Sequence, residues 1–296
     1  MILAALAALA LPAHAAPPSE RVQRGEQVLR AGGCAACHTD PDRPDQFLAG
    51  GRALETPFGT FYAPNITPDP RHGIGGWRLE DLDRALRHGL APDGGAYYPV
   101  FPYTTYTRMS DEDLAALKAY LDTVPPVARP NRPHRLPWWL AWRGVARLWQ
   151  WLYFEPGRHR PDPKHDARWN RGAYLVEALA HCAECHSPRT RLGAVDPRLR
   201  YAGTAQGPEG KPTPNITPDR ETGIGRWSVA DLADYLETGM DPGGDFAGGL
   251  MAEVIDQGTS HLPAEDREAI ATYILSLSPI RHRVKSPKRS SQDEFD

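Results

Sequence analysis

The chain has 296 residues, room for two ordinary domains, and its 30 prolines and 27 glycines favour loops and short elements over long regular ones. A formal net charge of −3, with acidic and basic residues interspersed, excludes the basic stripe of a nucleic-acid-binding surface, so no nucleic-acid partner is expected. With only four cysteines, each can be accounted for.

The first segment, "MILAALAALALPAHAAPP", runs apolar from Ile2 to Leu11 and ends in Ala13-His14-Ala15, a small-residue cleavage pattern. The run is too short to span a bilayer, which takes about 20 residues. Residues 1–16 are therefore read as a signal peptide, although no cation precedes the run, and the mature chain is expected in the periplasm. No later segment is long and apolar enough to be a membrane span.

Next comes "GGCAACHTD", with Cys34, Cys37 and His38 in C-x-x-C-H spacing. After Pro64, Leu79, Leu82 and Leu86 fall on one helical face, with Gly89 as a C-terminal stop. Met109 precedes a second helix, in which Ser110 and Asp113 form an N-cap pair ahead of Leu114, Leu117 and Leu121. The stretch "LPWWLAWRGVARLWQWLYFEPG", residues 136–157, is crowded with tryptophan. It reads as a helix wedged between two domains with its aromatics buried, in preference to an interfacial membrane helix, because only Arg143 and Arg147 accompany them. A second C-x-x-C-H follows at Cys182, Cys185 and His186, then a helix capped by Ser228 and Asp231, and a Gly-rich loop leading to Met251. The end, "RHRVKSPKRSSQDEFD", is polar and aperiodic and is expected to be disordered.

The chain is internally repeated. "PNITPDPRHGIGGWRLEDLDRALRHG" from Pro64 matches "PNITPDRETGIGRWSVADLADYLETG" from Pro214, pairing Trp77 with Trp227 and Gly89 with Gly239. "RGEQVLRAGGCAACH" from Arg24 matches "RGAYLVEALAHCAECH" from Arg171. The reading is a tandem duplication: a first domain at 17–128, a Trp-rich linker at 129–166, a second domain at 167–280 and a tail at 281–296. Each copy is helical, and no sustained alternation argues for a sheet, so the fold class is all-α. Short helices joined by Pro/Gly-rich loops leave each domain little core of its own.

Three chemistries compete for the cysteines. Two knuckles sharing one zinc usually lie about 15–20 residues apart, whereas most of a domain separates Cys37 from Cys182. A redox dithiol follows a strand in a βαβ setting, and neither copy offers one. Covalent haem uses every residue: thiols at i and i+3 share a helical face, each forms a thioether to one vinyl group, and the adjacent His reaches the iron. Two copies imply two haem c groups, attached through Cys34, Cys37, Cys182 and Cys185, with His38 and His186 as axial ligands.

Met is the usual second ligand of an electron carrier and raises the potential. Met109 is the first copy's only candidate. In the second, Met240 aligns with Leu90, so Met251 is preferred, with His261 as an outside alternative. His72, His88, His165 and His181 are read as solvent-facing or packed. Arg52, Arg143 and Arg189 are guesses for propionate partners, and Trp77 and Trp227 are read as packing. Asn65-Ile66-Thr67 and Asn215-Ile216-Thr217 match a glycosylation sequon, but the repeat explains both as a structural loop that could line a haem edge.

The segments "RGAYLVEALAHCAECHSPR", "PNITPDRETGIGRW", "YTRMSDEDLAALKAYL" and "GGLMAEVI" resemble the cytochrome c subunits of periplasmic alcohol, gluconate and fructose dehydrogenases. The resemblance covers nearly all of the mature chain. It implies two tandem class I-like cytochrome c domains joined by a Trp-rich linker helix, with Met109 opposite His38 and Met251 opposite His186. It also implies a flavin or molybdenum dehydrogenase as donor and a soluble cytochrome, oxidase or quinone as acceptor. Many such subunits carry a third haem domain and a membrane anchor; this chain stops after two, so quinone reduction and membrane attachment, at most peripheral, stay open. The expected function is electron transfer rather than catalysis. The alternative, a dihaem peroxidase, needs one haem whose Met is displaceable. A dihaem thiosulfate dehydrogenase needs an extra cysteine, and a haem sensor or zinc scaffold needs an output or metal-only site that the sequence does not offer.

Overall fold

The structure, a computed structural model, describes residues 19–284; the expected signal peptide and nearly all of the polar tail lie outside the described residues. The elements run α1 (Glu20–Ala31), α2 (Cys34–His38), β1 (Ala53–Thr56), β2 (Gly59–Tyr62), α3 (Leu79–His88), α4 (Tyr103–Tyr106), α5 (Asp111–Leu121), α6 (Trp138–Ala141), α7 (Gly144–Tyr153), α8 (Ala167–Tyr174), α9 (Cys182–Cys185), α10 (Val229–Thr238), α11 (Gly249–Gln257) and α12 (Ala264–Leu275). The chain is helix-rich, and among the described residues the expectation of no sheet fails only at the β1–β2 hairpin, an antiparallel pair with Ala53 opposite Tyr62.

In each copy of the repeat the first and last helices cross at a glycine. A Cβ on Gly25 would lie 2.0 Å from the Ala116 carbonyl oxygen, and one on Gly172 would lie 1.9 Å from that of Ala269. Beside each crossing an arginine pairs with a buried aspartate: Arg24 with Asp113 at 2.6 Å, and Arg171 with Asp266 through two bonds of 2.8 and 2.7 Å. Backbone contact at this range needs glycine, and the ion pair fixes the register of the crossing.

The caps form as the sequence predicts. Ser110 and Ser228 each accept a bond of 3.1 Å from the backbone N–H of the aspartate three residues on, and Gly89 (φ 62°) and Gly239 (φ 77°) end α3 and α10 in left-handed conformation. One difference separates the copies. Arg24 is ten residues from Cys34 but Arg171 is eleven from Cys182. The extra residue widens the end of α8 into a π-helical turn, Leu175–Leu179, so the helix crossing and the cysteine turn both keep their places.

One continuous cluster, containing Leu29, Leu86, Met109 and Leu117 of the first copy and Val176, Leu179, Leu236 and Ile270 of the second, forms the core. Across the junction Tyr174 accepts from the Ser110 amide at 3.1 Å and donates to Asp113 at 2.5 Å. The intervening stretch is two short helices rather than one, packed through Leu140 and Ala146 on Phe61 and Tyr98. The expectation that it buries its aromatics is wrong: Trp138 and Trp151 are 87% and 80% exposed.

Candidate functional site

Each C-x-x-C-H opens on a residue in left-handed conformation, Gly33 (φ 62°) and His181 (φ 42°), which turns the chain sharply into α2 and α9. The cysteines of each pair then sit one helical turn apart. Burial, reinforced by the neighbouring thiol, pushes the thiols of Cys34 and Cys182 up to about 12. Burial likewise raises Cys185, to about 11, and Cys37. Burial thus favours the neutral thiol at all four positions. Among the described residues no three His, Cys, Asp or Glu side chains group to hold a metal ion.

An arginine braces each turn at the equivalent backbone carbonyl, that of the residue before the second cysteine. Arg52 donates to the Ala36 carbonyl at 2.7 Å and pairs with Glu253, while Arg189 donates to the Glu184 carbonyl at 2.6 Å and its carboxylate at 2.7 Å. Both therefore brace the attachment turns. Arg143 lies elsewhere, donating to the Ala96 carbonyl at 3.1 Å.

The two histidines are oriented alike. Nδ1 of His38 lies 2.7 Å from the Pro64 carbonyl oxygen, and Nδ1 of His186 lies 2.9 Å from that of Pro214. Burial holds both imidazoles below their ordinary pKa, and therefore neutral. A neutral ring that donates through Nδ1 leaves a lone pair on Nε2 for iron, with the carbonyl fixing its orientation. The carbonyls are set by the Asn-Ile-Thr loops. Asn65 and Asn215, each 2% exposed, accept from the backbone N–H (2.9 Å) and hydroxyl (2.7 Å) of Thr67 and Thr217. Buried asparagines tied in this way are structural, as expected, and unavailable to glycosylation.

Three contributors escape a reading of the sequence. Gly50 and Gly203 (φ 71° and 76°) donate at 2.7 Å to the carbonyls of His38 and His186, and a Cβ on either would collide with the proline loop at 2.4–2.5 Å. Tyr106 donates at 2.6 Å to the Gly32 carbonyl, from 74 residues away. His181 approaches the same oxygen at 3.3 Å and stands over Gly33, so the two attachment turns abut. Repeated glycines in "LAGG" and "YAGT" were the available signal for the first; nothing local marks the other two.

Met109 is 1% exposed and lies in the core cluster against which Cys34 packs. Met251 packs on the same cluster from α11, as does Cys182, whereas Met240 is 47% exposed. His261 is turned to the Asp256 carbonyl at 2.9 Å, His72 to Asp69, and His88 to Asp83; His165 stacks on Trp169 with ring centroids 3.8 Å apart. Trp77 and Trp227 pack against the core, as expected. Paired neutral thiols on one turn, an imidazole with Nε2 free and a buried thioether fit a covalently attached haem. The residues that would hold it are Cys34, Cys37 and His38, and again Cys182, Cys185 and His186.

The cytochrome c family model matches residues 22–125. A "Diheme cytochrome c-type" protein of Cereibacter sphaeroides is 47% identical over 266 residues, covering 87% of this chain and 86% of its own. The "Fructose dehydrogenase cytochrome subunit" of Gluconobacter japonicus is 43% identical over 90% of this chain and 54% of its own. The "Gluconate 2-dehydrogenase cytochrome c subunit" of Pantoea cypripedii is 38% identical over 86% of this chain and 59% of its own. The chain thus spans nearly all of the first relative but little more than half of the two dehydrogenase subunits.

Proposed function

Because the chain belongs to the cytochrome c family and so carries covalent haem c, we propose that it is a periplasmic dihaem electron carrier. It takes electrons from a partner dehydrogenase and passes them to a respiratory acceptor, a soluble cytochrome, an oxidase or quinone. Domains at 17–128 and 167–280, joined by 129–166, hold one haem each. Bound there, haem supplies an iron that changes oxidation state by one electron. Cys34, Cys37, Cys182 and Cys185 anchor the two groups; His38 and His186 are the lower ligands, Met109 and Met251 the upper ones.

The observation that carries the reading is the duplicated His–Pro carbonyl bond, 2.7 Å at His38 and 2.9 Å at His186, which leaves each Nε2 free beneath a C-x-x-C turn. Met109 is buried, and Cys34, Cys182 and Met251 pack on the core cluster, which would limit rearrangement on electron transfer. A potential difference of about 59 mV biases one-electron residence tenfold, so modest differences in charge around the sites suffice for direction. The relatives' printed names, cytochrome subunits of fructose and gluconate dehydrogenases, support a dehydrogenase donor. A peroxidase is not favoured, since the relatives' printed names are those of a dihaem cytochrome and of dehydrogenase cytochrome subunits.

The test is a spectrum of the purified holoprotein. Pyridine haemochrome should give two haems per chain, and the sulfur-to-iron band in the far red should fall by about half in Met109→Ala and in Met251→Ala and be unchanged in Met240→Ala. One haem per chain, a high-spin resting state or rapid reaction with peroxide would overturn the assignment.

A further inference from the structure

The stretch between the two copies of the repeat is apolar on two sides. α7 turns Ala146 and Gln150 inward, and Leu148, Trp151 and Leu152, at i, i+3 and i+4, outward. Trp138 and Trp142, of and just after α6, are 87% and 73% exposed, and Trp139 and Tyr153 extend the exposed aromatic surface. The Trp142 ring lies against Gly144 at the junction of α6 and α7, where a Cβ would meet it at 2.5 Å. An outward row of tryptophan and leucine beside an already buried face is the pattern of a binding surface, not of a solvated linker.

The charge around this face says what it fits. Residues 129–160 contain seven arginines and one glutamate, in a chain whose overall charge is −3. Arg132, Arg135, Arg143 and Arg147 are exposed, and none has a carboxylate partner among the described residues. Arg132 and Arg135 instead lie over the Tyr62 ring, and Arg143 over Tyr98. Indole, with an apolar body and a polar N–H, suits the boundary between acyl chains and headgroups, and four or more unpaired cations around an amphipathic element suit anionic lipid. A protein partner would need an acidic rim matched to each arginine, whereas a bilayer offers phosphate everywhere. Among the described residues no helix is long and apolar enough to cross a membrane, so contact here would be in the plane of the surface.

We propose that the α6–α7 face docks on an anionic phospholipid bilayer, with Trp138, Trp142 and Trp151 at headgroup depth and the flanking arginines on lipid phosphates. Arg143 and Arg147 alone would suit a buried wedge; the five further arginines of 129–160 and the exposure of Trp138, Trp142 and Trp151 suit a lipid surface instead. The proposal does not depend on the electron-transfer reading, because its readout is lipid binding.

The full holoprotein is sedimented with vesicles of phosphatidylglycerol and phosphatidylethanolamine, or of phosphatidylcholine alone, and the bound fraction is read from haem absorbance. Binding is expected on the anionic vesicles, weakening at high salt. It should fall at least about tenfold in the triple variant Trp138→Gln/Trp142→Gln/Trp151→Gln and severalfold in Arg135→Gln/Arg147→Gln, with haem spectrum and Tm unchanged. Quenching of tryptophan fluorescence by brominated lipid should disappear in the triple variant. No sedimentation on anionic vesicles at low salt would overturn the proposal, as would binding unaltered in the triple variant. So would a triple variant that slows reduction by the partner dehydrogenase when the parent protein ignores lipid, which assigns the face to a protein.

Discussion

Tyr106 satisfies the Gly32 carbonyl at 2.6 Å from inside the core, and that carbonyl belongs to the residue two before Cys34. Tyr106→Phe keeps the ring and removes the bond, leaving the oxygen only the longer approach of His181. Chemical denaturation of the holoprotein should show a loss of about 1 kcal/mol, with haem attachment intact. Glu177, on the π-helical turn, accepts from the hydroxyls of Tyr201 (2.5 Å) and Tyr273 (2.9 Å) and from Arg200 (2.5 Å). Burial would raise its pKa, but Arg200 and the two hydroxyls outweigh burial and hold it below the ordinary 4.5. A carboxylate depressed in the folded state contributes stability above its unfolded pKa and loses it as pH falls through the folded value. Acid titration of Tm should therefore show wild-type stability dropping below pH 4.5. Glu177→Gln should already be less stable at neutral pH and give a shallower acid slope. Cys34, Cys37 and His38 stand out as candidates because their chemistry lies in residue type and short spacing. Tyr106 and the bracing arginines do not. Arg52 and Arg189 perform one job from positions that do not correspond in the repeat, and Tyr106 acts across 74 residues.

At the scale of elements, the crossing of α8 and α12 depends on the absence of a side chain at Gly172. Gly172→Ala would set a methyl 1.9 Å from the Ala269 carbonyl oxygen, and the helices would have to separate. The expected loss lies at the upper end of the roughly 1–3 kcal/mol typical of overpacked cores, and thermal unfolding of the holoprotein measures it. Helices with caps were readable: Ser110, Gly89, Ser228 and Gly239 mark boundaries by chemistry that needs no tertiary context. The hairpin was not, because strands of four residues, Ala53–Thr56 and Gly59–Tyr62, are too short for alternation to register. α7 misled for another reason. Apolar residues on both faces give no clue which face is covered. The π-helical turn was written in the sequence as one extra residue before Cys182, but an insertion looks the same whether a loop or a helix absorbs it.

For the whole molecule, the duplication was the most legible feature, and the way its halves meet the least. Tyr174 caps a helix of the first copy, Arg30 donates to the Gln257 carbonyl at 3.1 Å, and Arg52 joins the first attachment turn to Glu253, two residues from Met251. These contacts link residues up to 227 positions apart and leave no local trace. His181 standing on Gly33 has a kinetic consequence. In the proposed dihaem carrier, the separation of the two pigments would be set by a touching backbone and ring rather than by a hinge that must swing, so nothing large would need to be dragged through solvent before the internal hop. Flash-induced equilibration between the haems should run at the same rate in glycerol as in buffer, while exchange with outside partners slows with viscosity. A hop that tracked viscosity would mean the halves part and re-dock on every turnover.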